Sequence, residues 1–185
     1  MESFTARNRT LLYFVRRQWT QILGLGLTFT VLLLAGCDGG ESDGKLVVVT
    51  TTTHVTDMVR FVAGDRLNVI ALMGPGVDPH LYKPSAVDAA TLAKADLIFF
   101  SGLMLEGRMA DVFAKVSRRG TKAYAVTENV SEELLLEPEE FEGHWDPHVW
   151  FDPVIWSKCI DVVSNALAEN DPEGKAGYTE RAEAL

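Results

Sequence analysis

Two histidines of this chain occupy the same tripeptide, Asp-Pro-His, once at residues 78–80 and again at residues 146–148. Imidazole is the commonest protein ligand for first-row transition metals. The proline before each histidine fixes φ and removes a backbone donor, so each imidazole is presented on a stiffened loop. A single copy would more simply be interpreted as a turn that happens to contain a histidine. Two copies favour half of a metal site, formed by His80 and His148.

The neighbours of these histidines could support or extend such a site. Asp78 and Asp146 could accept hydrogen bonds from the imidazole N–H groups and so orient the rings toward a metal. They could equally cap local turns, and the sequence does not separate these two roles. His144 lies four residues before His148 in an acidic loop and could help to recruit a metal. An exposed loop histidine without that role is the simpler interpretation of His144.

The apolar pattern predicts the elements that position these two loops. Short β-branched or aromatic runs predict strands, and stretches with helical spacing follow them. The predicted strands are 45–51, 67–73, 96–101 and 122–126, and the predicted helices are 54–64, 84–95, 106–119 and 153–169, with a further helical stretch after a break at 170–172. This alternation predicts an α/β fold with a parallel sheet and helices on both faces. Ligands of such sheets bind beyond the carboxyl ends of the strands, where His80 and His148 could converge.

The first 36 residues have the composition of an export signal that is absent from the mature protein. Four arginines precede an apolar stretch, residues 22–34, which is too short for a membrane-spanning helix of about 20 residues. The stretch runs into Leu-Ala-Gly-Cys at residues 34–37, which resembles a bacterial lipobox, and Cys37 would then carry a lipid. We therefore expect an exported protein that is anchored by lipid to the outer face of the cytoplasmic membrane, in the periplasm or at the cell surface. Residues 37–44 would form a flexible tether.

The charge and the cysteines exclude two further classes of site. Residues 1–36 hold four of the 17 basic residues and one of the 26 acidic residues, so the remaining 149 residues carry a net charge of −12 with neutral histidines. Nucleic-acid binding needs a basic face, so we exclude that partner. With Cys37 lipidated, Cys159 has no intrachain partner, and its apolar neighbours predict a buried side chain. A cysteine metal cluster is excluded for the same reason.

Longer motifs surround the two tripeptides. They are Leu-Met-Gly-Pro-Gly-Val-Asp-Pro-His-Leu-Tyr at 72–82, Ala-Asp-Leu-Ile at 95–98, Gly-Leu-Met-Leu-Glu-Gly at 102–107 and Asp-Pro-His-Val-Trp-Phe-Asp-Pro at 146–153. In this order and at this spacing they resemble the substrate-binding lipoproteins of manganese, zinc and iron ABC importers. The resemblance extends over essentially all of residues 45–185.

This resemblance implies two α/β lobes joined by one long, rigid helix, with the metal bound between the lobes. Residues 45–170 would form the N-terminal metal-binding lobe, and residues 171–185 would begin the interlobe helix, so the sequence stops before the second lobe. His80 and His148 match the two ligands of the first lobe. Glu106 lies in one of the motifs but is not predicted as a ligand. His54 is predicted to pack at a helix start, and Trp150 to line the core or the cleft.

The function that follows is capture of a divalent transition metal (Zn, Mn or Fe) and its delivery to an ABC permease, by a monomeric protein that is not an enzyme. Two alternatives stay open. A surface adhesin or interaction lipoprotein is one, because relatives of this family often carry that label, although the sequence has no repeats or stalk. A metal-dependent hydrolase is the other, but no His-Glu-x-x-His motif or nucleophile elbow occurs in the sequence.

Overall fold

The computed structural model describes residues 44–141 and 143–185, and within them strands and helices alternate as predicted. The strands are β1 (Val47–Thr50), β2 (Asn68–Ala71), β3 (Leu97–Phe100) and β4 (Lys122–Ala125), and the helices are α1 (Thr53–Ala63), α2 (Ala86–Leu92), α3 (Ala110–Ser117), α4 (Pro153–Asn170) and α5 (Lys175–Ala184). The predicted export signal, the lipidation site at Cys37 and nearly all of the predicted tether lie outside the described residues. They stay predictions.

The four strands form one parallel sheet in the order β2-β1-β3-β4. Val49 of β1 lies opposite Ile70 of β2 and Ile98 of β3, so β1 and β3 are the central strands. Parallel neighbours require crossover connections, and α1, α2 and α3 supply them in turn. All four carboxyl ends therefore lie at one edge of the sheet, from which the loops to the helices leave.

Alternate residues of the central strands face opposite sides of the sheet, and helices cover both sides. Val48 and Phe99 are completely buried in a core cluster shared with α1, α4 and α5. Val49 and Ile98 are completely buried in a second cluster, with residues of α2 and α3. The predicted α/β fold with helices on both faces is confirmed. Cys159 of α4 is buried as predicted, and burial raises the pKa of its thiol to about 12.

Helix α2 is shorter than the predicted span of residues 84–95. Ser85 caps its start, because the Ser85 hydroxyl accepts from the backbone N–H of Asp88 while the Asp88 carboxylate accepts from the backbone N–H of Ser85. This reciprocal capping box satisfies two donors that the first turn would otherwise leave unpaired. The helix ends at Leu92, and Ala93 to Ala95 form a turn that leads into β3.

The helix predicted from residue 106 also begins later than expected. Gly107–Met109 forms a 3-10 turn, and α-helix is present only over Ala110–Ser117. The reason lies in Glu106, whose backbone is not helical (φ −93°, ψ 44°) and whose carboxylate points back toward the end of β3. The helical spacing of residues 106–119 carries no sign of this contact, so the predicted start at Glu106 is wrong.

Helices α4 and α5 are separated at the break that the sequence predicts. The Asp171 carboxylate accepts from the Arg66 guanidinium at 2.5 and 2.8 Å, and also from the Tyr178 hydroxyl. Arg181 of α5 donates to the last carbonyls of α1, those of Val62 and Ala63, at 2.7 and 3.1 Å. These two ties hold α5 against the end of α1. No helix in the described ranges is long and apolar enough to cross a membrane.

Candidate metal centre

The predicted ligands lie on two loops that follow strands β2 and β4. His80 is on the loop between β2 and α2, and His148 is near the end of the long segment between β4 and α4. Because both strands end at the same edge of the sheet, both loops can reach one place. The turn that carries Thr51 and Thr52 leads from β1 into α1 at the same edge, and His54 lies in the first turn of α1.

The structure brings the two imidazoles together. His80 Nε2 lies 3.2 Å from His148 Nε2, although 68 residues separate them in sequence. His80 is exposed, and the side chain of His148 is 30% exposed. For Zn–N bonds of about 2.0–2.1 Å, this separation corresponds to an N–Zn–N angle of about 100°, close to the tetrahedral value. The two nitrogens are therefore spaced as neighbouring ligands of one ion.

Asp146 contacts the ring of its histidine. Its Oδ1 accepts from the backbone N–H of His148 at 3.0 Å and lies 2.6 Å from His148 Nδ1. Partial burial raises the pKa of Asp146, but the hydrogen bonds from His148 outweigh it and hold that pKa below its usual range. A proton held on Nδ1 by this carboxylate leaves the Nε2 lone pair free for a metal. Asp146 therefore caps its turn and also contacts the imidazole, while its role in orienting the ring toward a metal stays a prediction.

Asp78 makes only half of this arrangement among the described residues. Its Oδ1 accepts from the backbone N–H of His80 at 2.9 Å, which caps the turn without reaching the ring. Further along this loop, Tyr82 is hydrogen-bonded to Asp88 of α2, and burial together with this bond raises the pKa of Tyr82 to about 12. The loop is thus fixed through its backbone and through Tyr82, while the His80 ring itself is held less firmly.

Aromatic rings surround His148 on several sides. Trp150 meets it edge-on, with ring centroids 5.2 Å apart and an angle of 74° between the planes. Phe141 lies 6.1 Å away at 49°. Trp150 in turn stacks on His54, at 4.7 Å and 16°. Sequence reasoning placed His54 at a helix start, where the structure has it, but did not pair it with Trp150.

A buried carboxylate supports the sheet edge beneath the site. Glu106 is 4% exposed, and its Oε1 accepts from the Thr51 hydroxyl at 2.6 Å and from the backbone N–H of Ser101 at 2.8 Å. Its Oε2 accepts from the backbone N–H of Gly102 at 3.3 Å. The next two residues, Leu103 and Met104, have φ of 48° and 63°, which is unfavourable for non-glycine residues. The carboxylate therefore stabilises a strained loop between β3 and the 3-10 turn before α3.

A groove lies next to His148, which forms part of its lining. It has a volume of about 280 Å³ and is lined mainly by apolar side chains, among them those of Leu134, Leu136, Phe151 and Ile155. Phe151 is 80% exposed and Leu136 is 70% exposed. Leu134, Leu135 and Leu136, from the acidic segment before His148, form part of the wall of this groove.

The possible accessory ligand, His144, makes no contact with the other two among the described residues. Its side chain is exposed, and its backbone N–H donates to the carbonyl of Phe141 at 2.7 Å. Within residues 44–141 and 143–185, no group of three or more His, Cys, Asp or Glu side chains is arranged to hold a metal ion. The arrangement in the described part of the chain is thus a pair of imidazoles that leaves the other coordination positions of an ion open.

Comparison with known proteins gives one matching family model, described as zinc-uptake complex component A, periplasmic (ZnuA), over residues 48–185. The zinc-binding protein TroA of Treponema pallidum is 40% identical over 166 residues, covering 88% of this chain and 52% of that protein. The manganese-binding lipoprotein MntA of Bacillus subtilis is 35% identical, covering 88% and 54%. The chain spans about half the length of these relatives.

Solved structures show the same relationship. The periplasmic zinc-binding protein TroA from Treponema pallidum superposes with a TM-score of 0.72 at 40% identity, over 76% of this chain and 50% of that chain. The Zn(II)-bound ZnuA-like domain of AdcA from Streptococcus pneumoniae superposes with a TM-score of 0.67 at 32% identity, over 76% and 50%. The family match over residues 48–185 includes both histidine loops.

Proposed function

This chain belongs to the ZnuA family of metal-binding solute-binding proteins, and from that membership we propose that it binds a divalent transition metal through His80 and His148 as the substrate of an ABC importer. The observation that carries the proposal is the 3.2 Å separation of the two Nε2 atoms. Two imidazoles that converge at the carboxyl edge of a parallel sheet present their donors to one ion. The family resemblance implies Zn, Mn or Fe, and two imidazoles alone do not distinguish these three, so the proposed substrate is one of them.

The donor set supports capture and release better than permanent binding. Structural zinc sites are closed by four protein ligands, whereas two imidazoles leave the rest of the shell to water or to other donors. The exposure of His80 gives an ion direct access from solvent. Ligands contributed by a second lobe, of the kind that the family resemblance implies, would close the shell around the ion and favour the closed state over the open one.

Delivery requires a partner and a location, and both belong to the proposal. We propose that the chain is exported, that Cys37 carries a lipid which holds it at the outer face of the cytoplasmic membrane, and that it hands the metal to an ABC permease there. The names of its relatives support this, since MntA of Bacillus subtilis is a manganese-binding lipoprotein and its counterpart scaA of Streptococcus gordonii is a manganese ABC transporter substrate-binding lipoprotein. We further propose that the protein acts as a monomer and is not an enzyme.

The site is tested by titrating the chain with Zn²⁺ and with Mn²⁺ by isothermal calorimetry. We expect His80→Ala and His148→Ala each to weaken binding at least about tenfold, and the double variant to abolish it, because each substitution removes one of two protein ligands. His144→Ala is the matched control and should change affinity less than twofold. Unchanged affinity in the double variant would show that the ion binds elsewhere.

A further inference from the structure

We propose that Trp150 is a positioning residue for His148 and that His54 holds Trp150 in place, so that His148 is the fixed ligand of the pair and His80 the adjustable one. This inference rests on the proposed function, because it concerns the same two histidines. Trp150 and His54 touch no metal in this proposal. They act by limiting the motion of the His148 ring before an ion arrives.

Two contacts from different directions fix the His148 ring. The hydrogen-bonding contact with Asp146, at 2.6 Å from Nδ1, fixes one point of the ring and its tautomer. A single such contact still allows the ring plane to tilt about that point. The edge of Trp150, at a centroid distance of 5.2 Å and an angle of 74°, meets the ring in the edge-to-face geometry that aromatic pairs prefer. Together they define both the direction of Nε2 and the plane in which it lies.

Trp150 is itself held in place by its contacts with α1 and by its position before α4. The indole stacks on the His54 imidazole at 4.7 Å and 16°, and His54 lies in the first turn of α1. The Thr52 hydroxyl caps that turn, and the Thr56 hydroxyl ties it to the sheet, since Thr56 Oγ1 lies 2.7 Å from Oγ1 of Thr50 in β1. Trp150 also belongs to the 3-10 turn Val149–Phe151, directly before the capped start of α4. The stack therefore connects the starts of α1 and α4.

The two histidines differ in how firmly their rings are held. Within the described residues, the ring of His80 contacts the ring of His148, and its loop is tied through the backbone by Asp78 and through Tyr82 by Asp88. Apart from the His148 ring, no aromatic ring packs on the His80 ring there, and no carboxylate is hydrogen-bonded to it. An exposed histidine on such a loop samples several rotamers at little cost. His148 therefore offers a preorganised nitrogen, and His80 follows the ion to complete the pair.

The test measures ring orientation and Zn²⁺ affinity in the full chain. In the metal-free protein, NMR signals of the His148 ring should carry the ring-current shift of Trp150, and Trp150→Leu should remove it while the Asp146 contact persists. Zn²⁺ affinity should fall about tenfold in Trp150→Leu, the lower end of what the loss of an orienting neighbour costs a metal ligand. Trp150→Phe, which keeps an aromatic edge, should restore affinity to within about threefold of the wild type.

Two further variants separate positioning from general packing. Trp156→Leu removes another half-buried tryptophan, one that packs against the α1, α4 and α5 cluster, and should leave Zn²⁺ affinity within twofold. His54→Leu alters only an exposed ring, so folding is retained, and affinity should fall about threefold because Trp150 loses its stacking partner. Wild-type binding together with unchanged affinity in Trp150→Leu or His54→Leu overturns the positioning role. If the wild type does not bind Zn²⁺, the proposed function is overturned. The positioning role is then judged from NMR alone, and an unchanged His148 ring signal in Trp150→Leu overturns it.

Discussion

Oδ1 of Asp146 lies 2.6 Å from Nδ1 of His148, whereas within the described residues the corresponding Asp78 contacts the backbone N–H of His80 and not its ring. The aspartates of two identical tripeptides therefore differ in whether they contact the histidine ring. Asp146→Asn keeps the shape of the side chain but removes its charge, so it weakens the polarisation of the imidazole. We expect Zn²⁺ affinity to fall about tenfold in Asp146→Asn and less than threefold in Asp78→Asn, measured by competition with a chromogenic chelator. Equal losses in the two variants would contradict the difference seen in the structure.

The buried carboxylate of Glu106 should contribute strongly to stability. Glu106→Gln replaces one acceptor oxygen by an amide group, which faces a hydroxyl or backbone N–H that also needs an acceptor. Lost charge-assisted hydrogen bonds and an unpaired buried donor together cost about 2–3 kcal/mol. Urea unfolding should show this loss in the free energy of unfolding. The exposed Glu132→Gln is the control and should change it by less than about 0.5 kcal/mol.

Gly102 and Gly120 form a matched pair that separates backbone strain from steric conflict. Both have positive φ, 90° and 101°, so alanine is strained at either position. At Gly102 a Cβ would also lie 2.4 Å from Thr127 Oγ1 and 3.0 Å from the Cβ of Ala125, whereas nothing lies within 4 Å at Gly120. We expect Gly120→Ala to cost about 1–2 kcal/mol, and Gly102→Ala to cost at least about 2 kcal/mol more because packed atoms must move. Thermal and urea unfolding would both report the difference, and equal costs would show that Thr127 moves freely.

Asp171 gives the stability a defined dependence on pH. The Arg66 hydrogen bond, the largest cause, and the Tyr178 hydrogen bond lower the pKa of Asp171 to about 2, against partial burial that raises it. Because the folded pKa lies below the unfolded value of about 3.9, the contribution is complete above pH 4–5 and is lost as pH falls toward 2. After allowance for the partly exposed Arg66, it amounts to about 1–2 kcal/mol.

The measurement is urea unfolding of the wild type and of Asp171→Asn at several pH values. The difference in the free energy of unfolding should be largest near pH 6 and should shrink between pH 4 and pH 2.5. Asp65→Asn serves as a control for an exposed carboxylate on the same side of the molecule. A difference that stays constant over this range would mean that the hydrogen bonds to Asp171 do not depend on its charge.

The sequence supported the prediction of the sheet, the order of its elements and the pairing of the two histidines, because these follow from local pattern. A run such as Leu97–Phe100 is apolar enough to be recognised alone, and parallel topology then brings the loops of His80 and His148 to one edge. The Trp150–His54 stack could not be predicted in this way. It joins residues 96 positions apart, and the local sequence around each residue carries no information about the other ring.

Glu106 shows a different limit. A glutamate at the start of an apolar-periodic stretch is a normal first-turn residue of a helix, so the pattern predicted a helix from 106. Its burial depends on donors from Thr51, Ser101 and Gly102, which only the assembled sheet edge brings together. The one available signal was its position inside a longer motif, and that signal carries no information about what the carboxylate contacts.

The contacts of Arg181 have a consequence for the order in which the chain folds. It donates to the carbonyls of Val62 and Ala63, from 119 and 118 positions further along the chain. Because the chain emerges from its N-terminus first, α1 is available long before Arg181, the donor to its final carbonyls. Contacts of such long sequence separation close late and slow the folding of a domain. The end of α1 stays hydrated until nearly the whole described chain has emerged, and this makes the docking of α5 a late step in folding.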